Sequence, residues 1–199
     1  LGRRHRWHAA ELLLPQQEVG AVAVVIAVGV AELCKTAVVN KGSFYHFFES
    51  KQALALEMVD RSWQRTASTI FAASLDDPAQ GGLEAIETYG NLLADGLERL
   101  QADCGAVVGC PFGNLAVELS TRNETIRTRV AEIFDEMVIS ASCAIGRGIA
   151  LGELSATTDV AQAATDVITH VQGLILLAKA RRDPSLPRHL GPTMRRLLT

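Results

Sequence analysis

Residues 30–54 read VAELCKTAVVNKGSFYHFFESKQAL, and this stretch decides the fold. Its apolar residues recur at intervals of three and four, which is the spacing of helical faces. Asn40 precedes the second apolar segment as a potential N-cap, and Ser50 precedes a third segment in the same way. The sequence therefore predicts a helix, a tight turn, a short second helix and the start of a long third helix.

The short second helix has two different faces. Phe44 and Phe48 lie one turn apart and are expected to hold the helix against its neighbours. The opposite face presents cations, hydroxyls and a further aromatic ring, namely Lys41, Ser43, Tyr45 and His46. These groups can approach phosphates and base edges in a DNA major groove. An ordinary packed helical corner, which is the alternative, would not need them exposed together.

Residues 41–54, KGSFYHFFESKQAL, resemble the second half of the DNA-binding module of TetR-family transcriptional regulators. The glycine after lysine, the Phe-Tyr pair, Phe48 and Ser50-Lys51 fall in register with that motif. The resemblance implies an all-α fold with an N-terminal helix-turn-helix head, residues 1–49, on a larger ligand-binding and dimerisation body, residues 50–199. It implies DNA contacts from Thr36, Asn40, Lys41, Gly42, Ser43, Tyr45, His46 and Lys51. Tyr45 and Lys51 are expected to contact phosphate, whereas Ser43 and His46 are better placed for bases.

The sequence departs from the family pattern before residue 40. Residues 5–14 predict a first helix that ends before Pro15. Between that helix and Lys41 lie 26 residues, several more than the pattern has, and residues 19–30 combine high β-propensity with no helical period. Residues 15–30 are therefore predicted to be an insertion or a misrecorded stretch. Val38 stands where the family's turn has glycine, at a position that often needs positive φ, which valine tolerates poorly.

Charge and composition are consistent with a small basic head on an acidic body. Residues 1–51 hold six Lys+Arg and four Asp+Glu, whereas the remaining residues hold 13 and 18, for a net charge of −3 overall. Nearly half of the 199 residues are apolar, which predicts a globular chain rather than a disordered one. A head that alone touches DNA fits this distribution of charge.

The cysteines and the apolar N-terminal run indicate the compartment. The four cysteines are widely spaced without a CxxC pair, which argues against a zinc site or a disulfide framework. The apolar run Val19–Ala31 spans 13 residues, whereas a membrane helix needs about 20. We therefore expect a cytoplasmic protein without a membrane segment.

Apolar residues at intervals of three and four continue over residues 126–144 and 160–178, and such stripes predict further long helices in the rest of the chain. One begins after Ser50 and ends near residue 76, and another covers residues 83–103. The capping-box pattern Thr121-Arg-Asn-Glu124 opens a third. The resemblance implies a homodimer that forms a four-helix bundle from helices about 122–148 and 158–182. Small residues would let those helices approach closely, namely Ala161, Ala163, Ala164 and Gly173.

The stretch GCPFGNLAVEL, residues 109–119, is similar to one that borders the inducer cavity in a branch of TetR-like regulators. The resemblance implies a mostly apolar pocket for a small-molecule effector. The residues predicted to line it are Trp63, Tyr89, Cys110, Phe112, Asn114, Phe134 and Met137. Simple core packing stays open as the alternative for each of them.

Cys110 supports a second hypothesis. It lies between Gly109 and Pro111 at a predicted helix start, where backbone N–H groups lower the pKa of a thiol and favour the thiolate. This pattern predicts a sensor of oxidants or electrophiles, with Cys104 as the resolving cysteine. A buried, inert cysteine is the alternative.

No catalytic Ser/His/Asp arrangement, HExxH motif, Walker loop or GxGxxG motif is present, so we expect no enzyme, no metal site and no cofactor. The predicted function is a dimeric repressor that binds a palindromic double-stranded operator and is released from it by a small apolar ligand. The alternative is a ligand-binding or electrophile-sensing helical dimer whose DNA-binding head is impaired.

Overall fold

A computed structural model of the chain describes residues 20–199, and every helix boundary below refers to that range. The predicted helix over residues 5–14 lies outside the described residues. No strand occurs within residues 20–199, so the described chain is all-helical, as predicted. The helices are α1 Gly20–Ala27, α2 Val30–Thr36, α3 Lys41–Phe47, α4 Lys51–Thr66, α5 Gly82–Cys104, α6 Pro111–Leu119, α7 Glu124–Ala150, α8 Val160–Arg181 and α9 Leu190–Leu198.

Two short segments complete this list of elements. One π-helical turn, Ala67–Phe71, continues α4, and one 3-10 turn, Leu186–His189, precedes α9. The described chain forms two compact units. The first comprises residues 20–64 and 115–129, and the second comprises residues 65–114 and 130–199.

The first unit contains the predicted helix-turn-helix. Helices α2 and α3 pack together, and Phe44 and Phe48 are both buried with ring centroids 5.8 Å apart. The Asn40 side chain accepts a hydrogen bond from the Ser43 N–H at 2.7 Å and so caps α3, as predicted. Ser50 Oγ accepts from the Ala53 N–H at 3.0 Å and caps α4 in the same way.

Helix α1 lies within residues 19–30, for which the β-propensity of the sequence did not predict a helix. The segment lacks an amphipathic period, yet it forms a helix over Gly20–Ala27 and buries Val22 and Val25 completely or nearly so. Burial in the unit's core outweighs the β-propensity of valine, because propensity is a weak preference that packing overrides. Residues 20–27 are therefore part of the helical head.

The first unit also includes chain from the second half of the sequence. Asn123 caps α7 by accepting from the Ile126 N–H at 3.1 Å, and it accepts from the Gln52 side chain of α4 at 3.2 Å. Arg129 of α7 pairs with Asp60 of α4 at 2.5 Å. The capping box predicted from Thr121 is therefore wrong in register, because the asparagine two residues later takes the N-cap position.

The second unit is built on the predicted apolar stripes. Helix α7 buries Val130, Ile133 and Met137, and α8 buries Val167 and Val171. The 3-10 turn and α9 pack on α5. Glycines permit this close contact, because a Cβ on Gly90 would lie 2.5 Å from the Pro187 carbonyl oxygen.

Candidate DNA and ligand sites

Helix α3 presents the polar face that the sequence predicts. Lys41, Tyr45 and His46 are exposed, and Tyr45 keeps 56% of its surface accessible. The Tyr45 ring stands edge-on to buried Phe44, with centroids 5.2 Å apart, so the core of the unit orients the exposed ring. The arrangement supplies a fixed, accessible set of donors on one short helix.

The other residues predicted to contact DNA lie in the same unit, in different environments. Thr36 ends α2 and is exposed, and Gly42 is exposed in the first turn of α3. Ser43 is half-buried, and its N–H is occupied by the Asn40 cap. The roles of these residues toward DNA stay predictions.

Lys51 has a protein partner. The residue is half-buried, and its Nζ donates to the Ile26 carbonyl at 2.6 Å and to the Val28 carbonyl at 2.9 Å. Ile26 belongs to the last turn of α1, and Val28 follows that helix directly. The sequence gives no sign of this contact, because the two partners are 25 and 23 residues away.

Val38 occupies the left-handed conformation that we expect at this position of the turn. Its φ is 54°, and its side chain is 91% exposed in the turn between α2 and α3. The Val38 N–H donates to the Lys35 carbonyl at 3.2 Å, and the Val39 N–H donates to the Cys34 carbonyl at 2.9 Å. This pair of bonds is a Schellman motif, whose left-handed position is usually glycine.

The residues predicted to bind ligand are divided between the two units. Trp63 belongs to the first unit, where it is buried. Six belong to the second: buried Tyr89, Phe112 and Met137, and half-buried Cys110, Asn114 and Phe134. Their roles toward an effector stay predictions.

Tyr89 lies among aromatic and sulfur-bearing neighbours. Its ring is 5.1 Å from that of Phe71, the last residue of the π-helical turn, and both rings are almost fully buried. Burial raises the pKa of the Tyr89 hydroxyl, and the charge of Cys110 in its ionised form raises that pKa further. Tyr89 is therefore a neutral hydroxyl in an apolar setting.

Cys110 does not have the lowered pKa that its position at a helix start predicts. The residue keeps some exposed surface, but its thiol is buried, and this burial raises the pKa of Cys110. The Gly113 N–H, 3.4 Å from Sγ, opposes that effect, as do the Gln172 side chain and the Phe112 N–H. Burial outweighs these three donors, so the prediction of an activated thiolate is wrong in direction.

Asn114 is held by two hydrogen bonds of its own unit. Its Nδ2 donates to the Val108 carbonyl at 2.9 Å, and its Oδ1 accepts from the Lys179 ammonium of α8 at 2.9 Å. Lys179 and Gln172, the latter beside Cys110, are the neighbours that sequence reasoning missed. Each is about 60 residues or more from its partner, and no motif spacing relates residues at that distance.

Two further features bear on the class of protein. Within residues 20–199, no group of three or more His, Cys, Asp or Glu side chains is placed to hold a metal ion. Helix α8 is long and apolar enough to cross a membrane by length and composition alone, with a mean hydropathy of 1.3. That evidence is weak, because core helices of soluble proteins pass the same test.

Comparison with known proteins identifies the family. The sequence model for "Bacterial regulatory proteins, tetR family" matches residues 26–58, and that for "Tetracyclin repressor-like, C-terminal domain" matches residues 91–194. The transcriptional repressor DhaR of Mycobacterium sp. (strain GP1) is 29% identical over 154 residues, which cover 77% of this chain and 73% of DhaR.

Solved structures share the fold. A TetR-family transcriptional regulator from Cytophaga hutchinsonii has a TM-score of 0.78 and 21% identity, with 98% of this chain and 94% of that chain covered. The TetR-family regulator CifR, solved as a cysteine mutant with a 26-bp double-stranded operator DNA, has a TM-score of 0.72 and 23% identity, with 94% and 95% covered. The chain belongs to the TetR family of bacterial transcriptional regulators.

Proposed function

We propose that this regulator is a homodimeric repressor that binds a palindromic operator and leaves it when a small apolar ligand binds the second unit. The observation that carries the proposal is the exposed polar face of α3, which the Asn40 cap and the buried Phe44 and Phe48 hold in place. The relative DhaR is named a repressor, and the neighbour CifR was solved with operator DNA. Both support this direction of regulation and this partner.

The proposed DNA contacts divide by chemistry. Lys41 and Tyr45 are exposed groups that suit phosphate oxygens, which position a protein without reading sequence. His46 and Ser43 suit base edges, which carry sequence information. Thr36 and Asn40 are secondary contacts, and Gly42 lets the backbone of α3 approach the duplex.

The experiment for this division is selection from randomised duplexes, repeated with variants of α3. We expect His46→Ala to change which bases are selected, and we expect Lys41→Met to weaken binding equally across sequences. Selection of the same bases by His46→Ala would contradict the assignment of His46 to base reading. Circular dichroism serves as the control that each variant keeps its helices.

The proposed dimer uses the exposed faces of α7 and α8. Ile139 is 63% exposed and Leu176 is 67% exposed, although both are large apolar residues. A Cβ on Gly173 would meet nothing within 4 Å, so that exposed position leaves room for a second helix. Of the small residues predicted for the interface, Ala163 and Ala164 are buried in their own unit and therefore serve its core.

A substitution at Gly173 tests this interface without disturbing the fold of one protomer. Because its surroundings are open, Gly173→Glu should leave the protomer folded and place two like charges in the proposed interface. Sedimentation velocity should show monomers, and operator affinity should fall because two heads must span half-sites about 34 Å apart. A stable dimer of Gly173→Glu would place the interface elsewhere.

The proposed effector is small and mostly apolar. Tyr89, Phe112 and Met137 are buried in the second unit and Phe134 is half-buried there. An effector that reached them would meet apolar side chains and one polar group, the neutral Tyr89 hydroxyl. Release from DNA requires the effector to favour one conformation over another, typically by about 1–3 kcal/mol. A screen of small apolar compounds by thermal shift should yield binders that lower operator affinity, and Tyr89→Phe should weaken their effect. An absence of any such compound would count against this site.

The proposal also places the protein outside the enzymes and in the cytoplasm. Family membership supports both parts. Members of the family act by binding DNA rather than by turnover of a substrate, and a DNA-binding regulator acts where the chromosome is. Any turnover by the purified protein would contradict the first part.

A further inference from the structure

The ammonium group of Lys51 lies at an unusual place for a residue that begins a helix. Lys51 is the first residue of α4, and a cation there is unfavourable, because the N-terminal end of a helix carries partial positive charge. Its own helix therefore does not explain a lysine at this position. A phosphate of bound DNA or another part of the protein can compensate for this cost.

The end of α1 supplies that compensation. The last carbonyls of a helix have no partner within the helix, and they carry partial negative charge. Helix α1 has no basic residue in its last turn. Lys51 Nζ donates to the carbonyls of Ile26 and Val28 at 2.6 and 2.9 Å, so two of its three N–H groups meet this C-terminal end.

This contact joins three helices of the first unit. Only Val28 and Gly29 separate α1 from α2, and Gly29 begins α2 by accepting from the Leu33 N–H at 3.1 Å. Ser50, the neighbour of Lys51, caps α4. The ammonium therefore connects the corner between α1 and α2 to the start of α4. In the sequence, the first of these places precedes the recognition helix α3 and the second follows it.

We infer that Lys51 is a positioning residue of the DNA-binding unit, which holds the end of α1 against the start of α4 and acts on DNA through the protein. The inference rests on the proposed DNA binding. It differs from a phosphate contact in one measurable respect. Loss of a phosphate contact reduces the slope of log K against log salt by about 0.9, whereas loss of a positioning contact lowers affinity without changing that slope.

The test compares Lys51→Met with Lys41→Met, an exposed lysine of the same unit, on the duplex that the wild-type protein selects. Affinity is measured across a salt series well below the unfolding temperature. For Lys51→Met we expect roughly tenfold weaker binding at every salt concentration, with an unchanged slope. For Lys41→Met we expect a slope reduced by about 0.9. Lys51→Arg should retain binding, because a guanidinium can also donate to two carbonyls.

The rate of hydrogen exchange in the free proteins tests the contact of Lys51 with α1 in the absence of DNA. Lys51→Met should speed exchange in residues 20–36, whereas Lys41→Met should not. A slope reduced by about 0.9 in Lys51→Met, with unchanged exchange, would overturn the inference in favour of a phosphate contact. Faster exchange with wild-type affinity would also overturn it, since the contact would then serve stability alone.

Two further controls keep the outcomes separate. If Lys51→Met does not fold, Lys51→Gln retains an amide donor without the charge and replaces it in both measurements. If the wild-type protein selects no duplex, the proposed function fails, whereas the exchange measurement still decides whether Lys51 holds α1.

Discussion

Val38→Gly should stabilise the protein, against the usual direction for glycine substitutions. A left-handed conformation costs an L-residue about 1–2 kcal/mol, and a β-branched side chain belongs to the less tolerant residues. Glycine avoids that cost but loses about 0.5–1 kcal/mol through the greater freedom of the unfolded chain. The Val38 side chain is 91% exposed, so its removal forfeits little packing. The expected net gain is about 1 kcal/mol, or roughly 2–4 °C in Tm for a chain of this length.

Thermal unfolding followed by circular dichroism measures the gain, with two matched variants. Val38→Ala keeps a Cβ in the left-handed conformation and should gain less than Val38→Gly. Val39→Gly changes a neighbour whose φ is not positive, so it should lose stability. Equal Tm values for Val38→Gly and Val38→Ala would contradict this prediction, because they would assign the effect to branching at Cβ rather than to the positive φ. Operator binding that is tight only in Val38→Gly would show that valine impairs the head.

Other predictions follow from the second unit. Arg182, with φ of 57° after α8, is in the same left-handed position as Val38, so Arg182→Gly should raise Tm by a smaller amount because arginine is unbranched at Cβ. Gly82→Ala should lower Tm strongly, since its Cβ would lie 2.5 Å from the Gly148 nitrogen, whereas Gly96→Ala in the same helix meets nothing within 4 Å and should be neutral or stabilising. Cys110 should be alkylated more slowly in the folded protein than in denaturant, because its raised pKa keeps the thiol protonated at neutral pH, and its rate should climb as pH rises. Site-resolved mass spectrometry that found fast alkylation of Cys110 at neutral pH would contradict the last prediction.

The elements predicted well from sequence are those whose signals are local. The Asn40 and Ser50 caps involve groups three residues apart, and the apolar stripes of α7 and α8 repeat within single helices. The family resemblance placed Val38 at a glycine position of the turn, and its positive φ agrees with that placement. Such signals depend on spacings that the sequence shows directly.

The elements that sequence reasoning missed depend on partners far away in the chain. Helix α1 has no periodic signal, and its existence depends on the burial of Val22 and Val25. The predicted direction of the shift in the Cys110 pKa was wrong. The sequence shows the helix start, which lowers the pKa, but it does not show the burial that outweighs it. The partners of Lys51 and Asn114 likewise become apparent only in the folded chain.

Capture of genomic fragments by the wild-type protein is the decisive test of operator binding. We expect enrichment of a palindromic site with half-sites about one helical turn apart, bound by a dimer with affinity that falls steeply as salt rises. Enrichment of no sequence, with only weak binding that does not distinguish one duplex from another, would contradict it.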